Sequence, residues 1–163
     1  MQPNAVQELS NCSSALQAGC ADAILTASAT VWPVISTPAG CTTADLSAST
    51  GLPYGAECQR QGLTYDVIWR SRLGSTVFVD AMRQQINTDT DQDFTLRGDA
   101  AVLGSSISGW GTSSTQGPVY DCIWEYRDYP VALMIEGTNG TTTSAACAAA
   151  TFYDDAQMSA IFR

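Results

Sequence analysis

Residues 56–72, AECQRQGLTYDVIWRSR, predict the β-hairpin from which the rest of the fold can be built. Gly62 is a turn residue, and the segments on its two sides, 57–60 and 63–72, have the length of short strands. The second segment alternates two sets of residues: Tyr65, Val67 and Trp69 against Asp66, Ile68 and Arg70. An alternation with a period of two is typical of a strand with one buried face.

Residues 119–137, VYDCIWEYRDYPVALMIEG, predict a second hairpin, with strands 119–126 and 129–136 and a turn at Arg127–Asp128. Its return strand again has two sets: Tyr129, Val131, Leu133 and Ile135 against Ala132, Met134 and Glu136. Three identities link the two hairpins at one common offset: Cys58 with Cys122, Tyr65 with Tyr129, and Val67 with Val131. This offset favours a duplicated hairpin, and a chance resemblance between two short hairpins is the alternative.

Helices are expected around the hairpins. Apolar residues at three- and four-residue steps predict an amphipathic N-terminal helix over 5–31. Thr42 or Thr43 would cap a short helix that ends at Gly51. Further helices are predicted at 75–87 and 96–104, a polar loop at 105–118, and an alanine-rich helix after Gly140. The sequence therefore predicts one α+β domain, 1–163, with an antiparallel sheet of two hairpins and helices on one face. Two helix–strand–strand–helix halves, 41–88 and 94–154, would follow the N-terminal helix.

The six cysteines, an even number with wide spacings and no CxxC pair, predict three disulfides in an oxidising compartment. In a continuous N-terminal helix Cys12 and Cys20 would lie ~12 Å apart, too far to bond to each other. If the helix begins only after Gly19, a local Cys12–Cys20 bond is available instead. The favoured pairing is Cys122–Cys147, Cys20–Cys41 and Cys12–Cys58.

The charge composition excludes several classes of protein. Sixteen acidic residues face seven arginines, and the chain has no lysine and no histidine, for a net charge of −9. We expect no nucleic-acid partner, because this charge repels phosphates and no basic stripe is present. No apolar run reaches the ~18–20 residues of a membrane span. The opening MQPNAVQE contains no signal peptide, so an anchor or leader further upstream stays open as an expectation.

Catalysis is also disfavoured by the composition. Without histidine and lysine there is no Ser-His-Asp triad, Cys-His pair, Schiff base or phosphate-loop lysine. Carboxylate chemistry of the glycosidase type is what remains, and no pair of glutamates is marked by its surroundings. We therefore predict that the protein is not an enzyme.

A calcium site is the one cofactor that a local pattern suggests. Asp89, Asp91 and Asp93 alternate as the first oxygen ligands of an EF-hand loop do. The pattern then fails, because Phe94 replaces the glycine of the turn and Ala100 replaces the final glutamate. A solvated acidic loop is the favoured interpretation, with weak calcium binding as the alternative and no other cofactor expected.

Ligand-binding candidates come from aromatic and arginine side chains. Trp110 lies between glycines in the predicted polar loop, where it could contact a sugar or a partner, or fold back as a plug. Arg70, with Arg72 and Arg60, could bind an anion, although pairing with Asp66 and neighbouring acids is favoured. Trp32, Trp69 and Trp124 are predicted to be core residues.

The segments CTTADLSASTGLP, CQRQGLTYDVIW and CIWEYRDYPVALMIEG resemble parts of actinobacterial cell-envelope domains. These are secreted lipoproteins of unknown function and extracytoplasmic sensor domains of membrane Ser/Thr kinases. The matching residues are Cys41, Leu46, Gly51, Cys122, Trp124 and Val131. The first hairpin departs from the pattern, because Arg60 stands where the tryptophan would be. The resemblance implies an extracytoplasmic domain with a binding role, and it implies no ligand and no catalytic residue.

The leading hypothesis is thus a non-enzymatic, extracytoplasmic ligand-binding or sensor domain. Its ligand, a small molecule, an envelope polymer or a protein, would bind in a groove between the two halves. Tyr65, Tyr129, Trp110 and Arg70 would line that groove. A disulfide-stapled structural or protein-interaction module is the alternative, and a carboxylate-dependent hydrolase is the third.

Overall fold

The structure is a computed structural model that describes residues 5–35, 39–45, 54–69, 106–113, 119–126, 128–137, 142, 145–146 and 149–163. Side chains are not described for 106–113, 119–123 and 125. The helices are α1 (Ala5–Glu8), α2 (Cys20–Val31) and α3 (Asp155–Phe162), with single 3-10 turns at Leu9–Asn11 and Pro33–Ile35. The strands are β1 (Cys41–Asp45), β2 (Tyr54–Arg60), β3 (Leu63–Trp69), β4 (Ser106–Ser113), β5 (Val119–Tyr126) and β6 (Val131–Gly137).

The described strands form a six-stranded antiparallel sheet in the order β1-β2-β3-β6-β5-β4. Each set of three consecutive strands is a meander, and the two meanders meet where β3 pairs with β6. The predicted α+β class and antiparallel sheet are confirmed.

The predicted hairpin at Gly62 is confirmed as β2 and β3. Gln61 and Gly62 form its two-residue turn with φ values of 51° and 79°. Such turns place both central residues in the left-handed region, because their backbone twist then matches that of the flanking strands. β2 and β3 are therefore joined by a two-residue turn, with Arg60 paired directly with Leu63.

The core lies between one face of the sheet and the helices. Trp32, Tyr126, Leu133 and Met158 are among its fully buried side chains. Trp32, Trp69 and Trp124 are all buried, as predicted. The half-buried pattern predicted for β3 is wrong, since Asp66 and Ile68 on its other face are buried as well.

The N-terminal helix predicted over 5–31 is interrupted. After α1 and its 3-10 turn, residues 12–19 form a loop, and α2 begins only at Cys20. Gly19, the residue before α2, has a φ of 80°, a conformation that glycine adopts without strain. The loop brings the Cα atoms of Cys12 and Cys20 within 5.9 Å, and these two cysteines form a disulfide.

The predicted helix after Cys41 is a strand, β1, in residues 41–45. Its threonines are β-branched and suit a strand, and β1 pairs with β2 so that Cys41 lies directly opposite Cys58. These two cysteines form the second disulfide. The predicted pairs Cys20–Cys41 and Cys12–Cys58 are therefore wrong, because the interrupted helix removes the distance argument behind them. The Cys122–Cys147 pair lies outside the described residues, since Cys147 is not among them.

The predicted repetition of the hairpins is not confirmed. Cys58 lies opposite Tyr65, whereas Cys122 lies opposite Ile135, and Tyr129 precedes β6. The order of strands is symmetrical, but the register does not follow the common offset.

Two further elements differ from expectation. The residues around Trp110, expected in a loop, form β4. The closing helix α3 was not predicted, although its capping box, in which Asp154 and Gln157 cap each other, is visible in the sequence.

Candidate functional site

A half-open cleft of about 600 Å³ lies at the end of the sheet where β2 begins, β3 ends and β6 begins. Its lining residues are Val6, Gln7, Leu9, Ser10, Cys12, Ser13, Tyr54, Trp69, Pro130 and Phe162. The volume lies in the range of small-molecule sites.

The floor of the cleft is built by the register of three strands. Tyr54 lies opposite Trp69, and Trp69 lies opposite Val131. The Trp69 indole Nε1 donates a hydrogen bond to Ser28 Oγ at 3.0 Å, which fixes the ring against α2. The Trp69 ring at the floor is thus held by a hydrogen bond within the core.

The Tyr54 hydroxyl donates a hydrogen bond to the carbonyl oxygen of Leu9 at 3.2 Å and joins the floor to the N-terminal wall. Burial raises the pKa of the Tyr54 phenol above its ordinary value of 10.0. The phenol is therefore protonated at neutral pH and acts as a hydrogen-bond donor, not as a base.

The C-terminal helix supplies the opposite wall. The ring of Phe162 lies 5.1 Å from that of Tyr129 and 6.3 Å from that of Trp69, measured between centroids. The Gln7 amide donates a hydrogen bond to the carbonyl oxygen of Arg163, so α1 and the end of α3 are in contact beside the cleft.

The loop closed by the Cys12–Cys20 disulfide forms the rim. The Asp45 carboxylate accepts hydrogen bonds from the Ala15 backbone amide at 2.7 Å and from the Ser14 hydroxyl at 3.1 Å. The last residue of β1 therefore fixes the rim to the sheet.

None of the ten lining residues is charged, although the chain has a net charge of −9. Among the described lining residues, Gln7, Ser10 and Ser13 are polar, the polar atoms of Tyr54 and Trp69 already donate hydrogen bonds within the protein, and Cys12 is disulfide-bonded. The ten described lining residues include no nucleophile with a neighbouring base, and they suit an uncharged, mainly apolar group.

Two of the four predicted groove residues, Tyr65 and Tyr129, have described side chains, and both lie outside the lining of the cleft. Tyr65 is buried in the core, where its ring meets that of Trp32 edge-on at 5.5 Å. Tyr129 is half-buried, and its hydroxyl donates to the Asp155 carbonyl oxygen at 3.1 Å. Trp110 lies opposite Cys122 in the register of β4 and β5. Arg70 and the calcium candidates Asp89, Asp91 and Asp93 lie outside the described residues. Neither Tyr65 nor Tyr129 lines the cleft.

The sequence interpretation missed Tyr54 and Phe162 as lining residues and assigned Trp69 to the core alone. Tyr54 precedes the predicted strand 57–60, and Phe162 belongs to α3, which is not among the predicted helices. The available signals were the capping box of α3 and the aromatic residues at both ends of the hairpin.

Comparison with known proteins adds no relative: no protein-family model, curated protein or solved structure matches this chain. Within the part of the chain that the structure describes, no helix is long and apolar enough to cross a membrane. Across the same residues, no group of three or more histidine, cysteine or acidic side chains is placed to hold a metal ion.

Proposed function

We propose that this protein is a non-enzymatic, extracytoplasmic ligand-binding or sensor domain, and that its cleft binds an uncharged, largely apolar group. The observation that carries the proposal is the cleft itself, which joins aromatic rings from Tyr54, Trp69 and Phe162 under an uncharged rim. An aromatic floor with a few polar groups is the usual chemistry of small-molecule sites.

The charge of the chain supports selection against anions. A ligand with a negative charge would meet the field of sixteen acidic residues, and none of the ten described lining residues is cationic. A neutral ligand loses little hydration on entry and gains contact with the rings. The sequence leaves open a small molecule, an envelope polymer or a protein as the ligand. The proposed ligand class is narrower, an uncharged and largely apolar group.

The extracytoplasmic assignment rests on the two disulfides of the described residues. Disulfides form and persist in oxidising compartments and are rare in the cytosol. The Cys12–Cys20 bond also closes the rim of the cleft, so the proposed site depends on that compartment for its shape.

The experiment is a fluorescence titration with two dyes of similar size, one without charge and one with a negative charge. N-phenylnaphthylamine is neutral, and anilinonaphthalene sulfonate is its anionic counterpart. We expect the neutral dye to brighten and saturate at one site, and the sulfonate to bind about tenfold more weakly or worse. Equal binding of both dyes would contradict the proposal.

A matched pair of variants locates the dye. Ser10→Trp places a bulky ring in the cleft lining, and Thr30→Trp places the same ring on the exposed face of α2. We expect only the variant at Ser10 to lose binding of the neutral dye. If both variants bind it as the unaltered protein does, the dye binds elsewhere and the cleft is not the site.

A further inference from the structure

Two serines of the cleft lining direct their hydroxyl hydrogens into the protein. Ser10 Oγ donates to the backbone carbonyl oxygen of Gln7 at 2.8 Å, and Ser13 Oγ donates to the side-chain oxygen of Gln17 at 3.1 Å. The orientation of the Gln17 amide is fixed, because its Nε2 donates to the Asn11 carbonyl oxygen at 3.0 Å. The two oxygens that face the serines can therefore only accept, and each serine is the donor in its bond.

The other side-chain donors of the lining are also used within the protein. The Tyr54 hydroxyl and the Trp69 indole Nε1 each donate to a protein oxygen. Gln7 donates through Nε2 to the Arg163 carbonyl oxygen and takes part in a further interaction. Pro130, as a proline, has no backbone N–H. A ligand in the cleft therefore meets few donors among the described lining residues that are not already in use.

The two serines can still accept hydrogen bonds. A hydroxyl oxygen has two lone pairs, and it can accept while its own hydrogen is donated elsewhere. In the described contacts no group donates to Ser10 Oγ or Ser13 Oγ, and both residues are exposed. The polar part of the described lining therefore presents mainly acceptors to a ligand, and the group that complements it is a hydrogen-bond donor.

We propose that the cleft selects neutral, largely apolar molecules that carry a hydroxyl or N–H group, and that Ser10 Oγ and Ser13 Oγ accept the hydrogen bond from that group. The proposal rests on the proposed function, because it specifies the ligand of the same cleft. The apolar body of the ligand contacts the rings of Tyr54, Trp69 and Phe162. Alcohols, phenols and secondary amides belong to this class.

Ligands whose polar atoms only accept, such as ketones and ethers, fit less well. Their oxygen gives up its hydrogen bonds to water on entry and meets the lone pairs of the serines instead. A serine hydroxyl can turn toward such an oxygen only by breaking its bond to Gln7 or Gln17. This exchange makes no additional hydrogen bond, so a donor is preferred.

The test compares 1-indanol with 1-indanone, which share one carbon skeleton and carry oxygen at the same position. The alcohol donates and accepts, whereas the ketone only accepts. Each is titrated into the full chain in competition with N-phenylnaphthylamine, and the loss of dye fluorescence gives its dissociation constant. We expect 1-indanol to bind about threefold to tenfold more tightly, which is the range of one net hydrogen bond. Equal binding, or tighter binding of the ketone, would overturn the proposal.

Variants assign the preference to the two serines. Ser10→Ala, Ser13→Ala and their combination remove the acceptor oxygens without adding bulk. We expect 1-indanol to lose its advantage in the double variant, whereas the affinity for 1-indanone, which shows that the cleft is intact, changes by less than about twofold. Thr30→Ala removes an exposed hydroxyl of α2 outside the lining and should keep the full preference. A preference that survives in the double variant would exclude the serines as the acceptors.

The same titrations separate this proposal from the proposed function. If the dye binds in the cleft and the two compounds displace it equally or not at all, only the preference for a donor is contradicted, and the site for an apolar group stands. If neither the dye nor either compound binds, the proposed function fails, and the preference for a donor fails with it.

Discussion

Trp69 of β3 and Ser28 of α2 form a buried hydrogen-bonded pair that joins the sheet to the helix below the cleft. The indole Nε1 donates to Ser28 Oγ at 3.0 Å, and the serine hydroxyl donates in turn to the Ile24 carbonyl oxygen at 2.6 Å. Ser28 is therefore the hydrogen-bond acceptor for the buried Trp69 N–H, and the described contacts include no other acceptor for it.

Replacing Ser28 with alanine should destabilise the protein by about 1–3 kcal/mol, because the Trp69 N–H would stay buried without an acceptor. Urea unfolding measures the change. Thr30→Ala is the matched control, since Thr30 makes the same bond to the carbonyl four residues earlier but is exposed. Its expected effect is within about 0.5 kcal/mol. Equal losses in the two variants would mean that the Trp69 bond contributes nothing.

The disulfide pairs can be mapped by digestion before aspartate, without reduction. Cleavage at Asp22, Asp45 and Asp66 releases residues 1–21, 22–44 and 45–65. We expect 1–21 to be released alone with an internal bond, and 22–44 to remain bound to 45–65, as the pairs Cys12–Cys20 and Cys41–Cys58 require. A product in which all three fragments are linked would instead support Cys20–Cys41 with Cys12–Cys58.

In the turn at Gln61 and Gly62, one substitution is expected to lower the free energy of unfolding and another to raise it. A Cβ added at Gly62 meets no atom within 4 Å, so Gly62→Ala tests backbone strain alone and should cost about 1–2 kcal/mol. Gln61→Asn should stabilise the protein by a few tenths of a kcal/mol, because asparagine tolerates a positive φ better than glutamine does. Thermal or urea unfolding measures both. A neutral result at Gly62 would contradict the turn conformation.

The stability of the protein should depend on pH mainly in the alkaline range. Burial raises the pKa of Tyr54, and burial followed by the nearby Asp155 carboxylate raises the pKa of Tyr126. A raised pKa means that the folded state holds its proton more tightly than the unfolded chain. The stabilisation is therefore complete below pH ~10 and is lost as the pH rises above that value.

Urea unfolding at a series of pH values measures this dependence. The chain has no histidine, so stability should change little between pH ~6 and ~9. Tyr126→Phe should flatten the alkaline slope, at the cost of the hydrogen bond from the Tyr126 hydroxyl to the Tyr153 carbonyl oxygen at 2.7 Å. An unchanged slope in that variant would remove Tyr126 as its source.

The strands around Gly62 and those at 119–126 and 131–137 could be predicted because period and turn chemistry agree there. The N-terminal region could not, since its apolar spacing continues through the loop and only Gly19 marks the break. The sequence of β1 predicts a helix as readily as a strand, because threonine is both a helix cap and a strand residue. Its pairing with β2, which decides the matter, is a tertiary contact.

The cleft could not be predicted from the sequence for a related reason. Its floor joins Tyr54, Trp69 and Pro130, and its walls come from both ends of the chain. No local pattern marks residues that meet only once the sheet and the helices have packed. Of the aromatic candidates, Tyr65 is a core residue and Tyr129 is half-buried against the core.

The symmetrical order of the strands also bears on how the chain folds. Each meander is a local structure, but its seam with the other pairs Trp69 with Val131 and Thr64 with Glu136, residues about sixty or more positions apart. Neither described disulfide crosses this seam, since both join residues that precede β3. Closing the seam carries the largest entropy of loop closure in the described sheet, and it is expected to limit the rate of folding even when both disulfides have already formed.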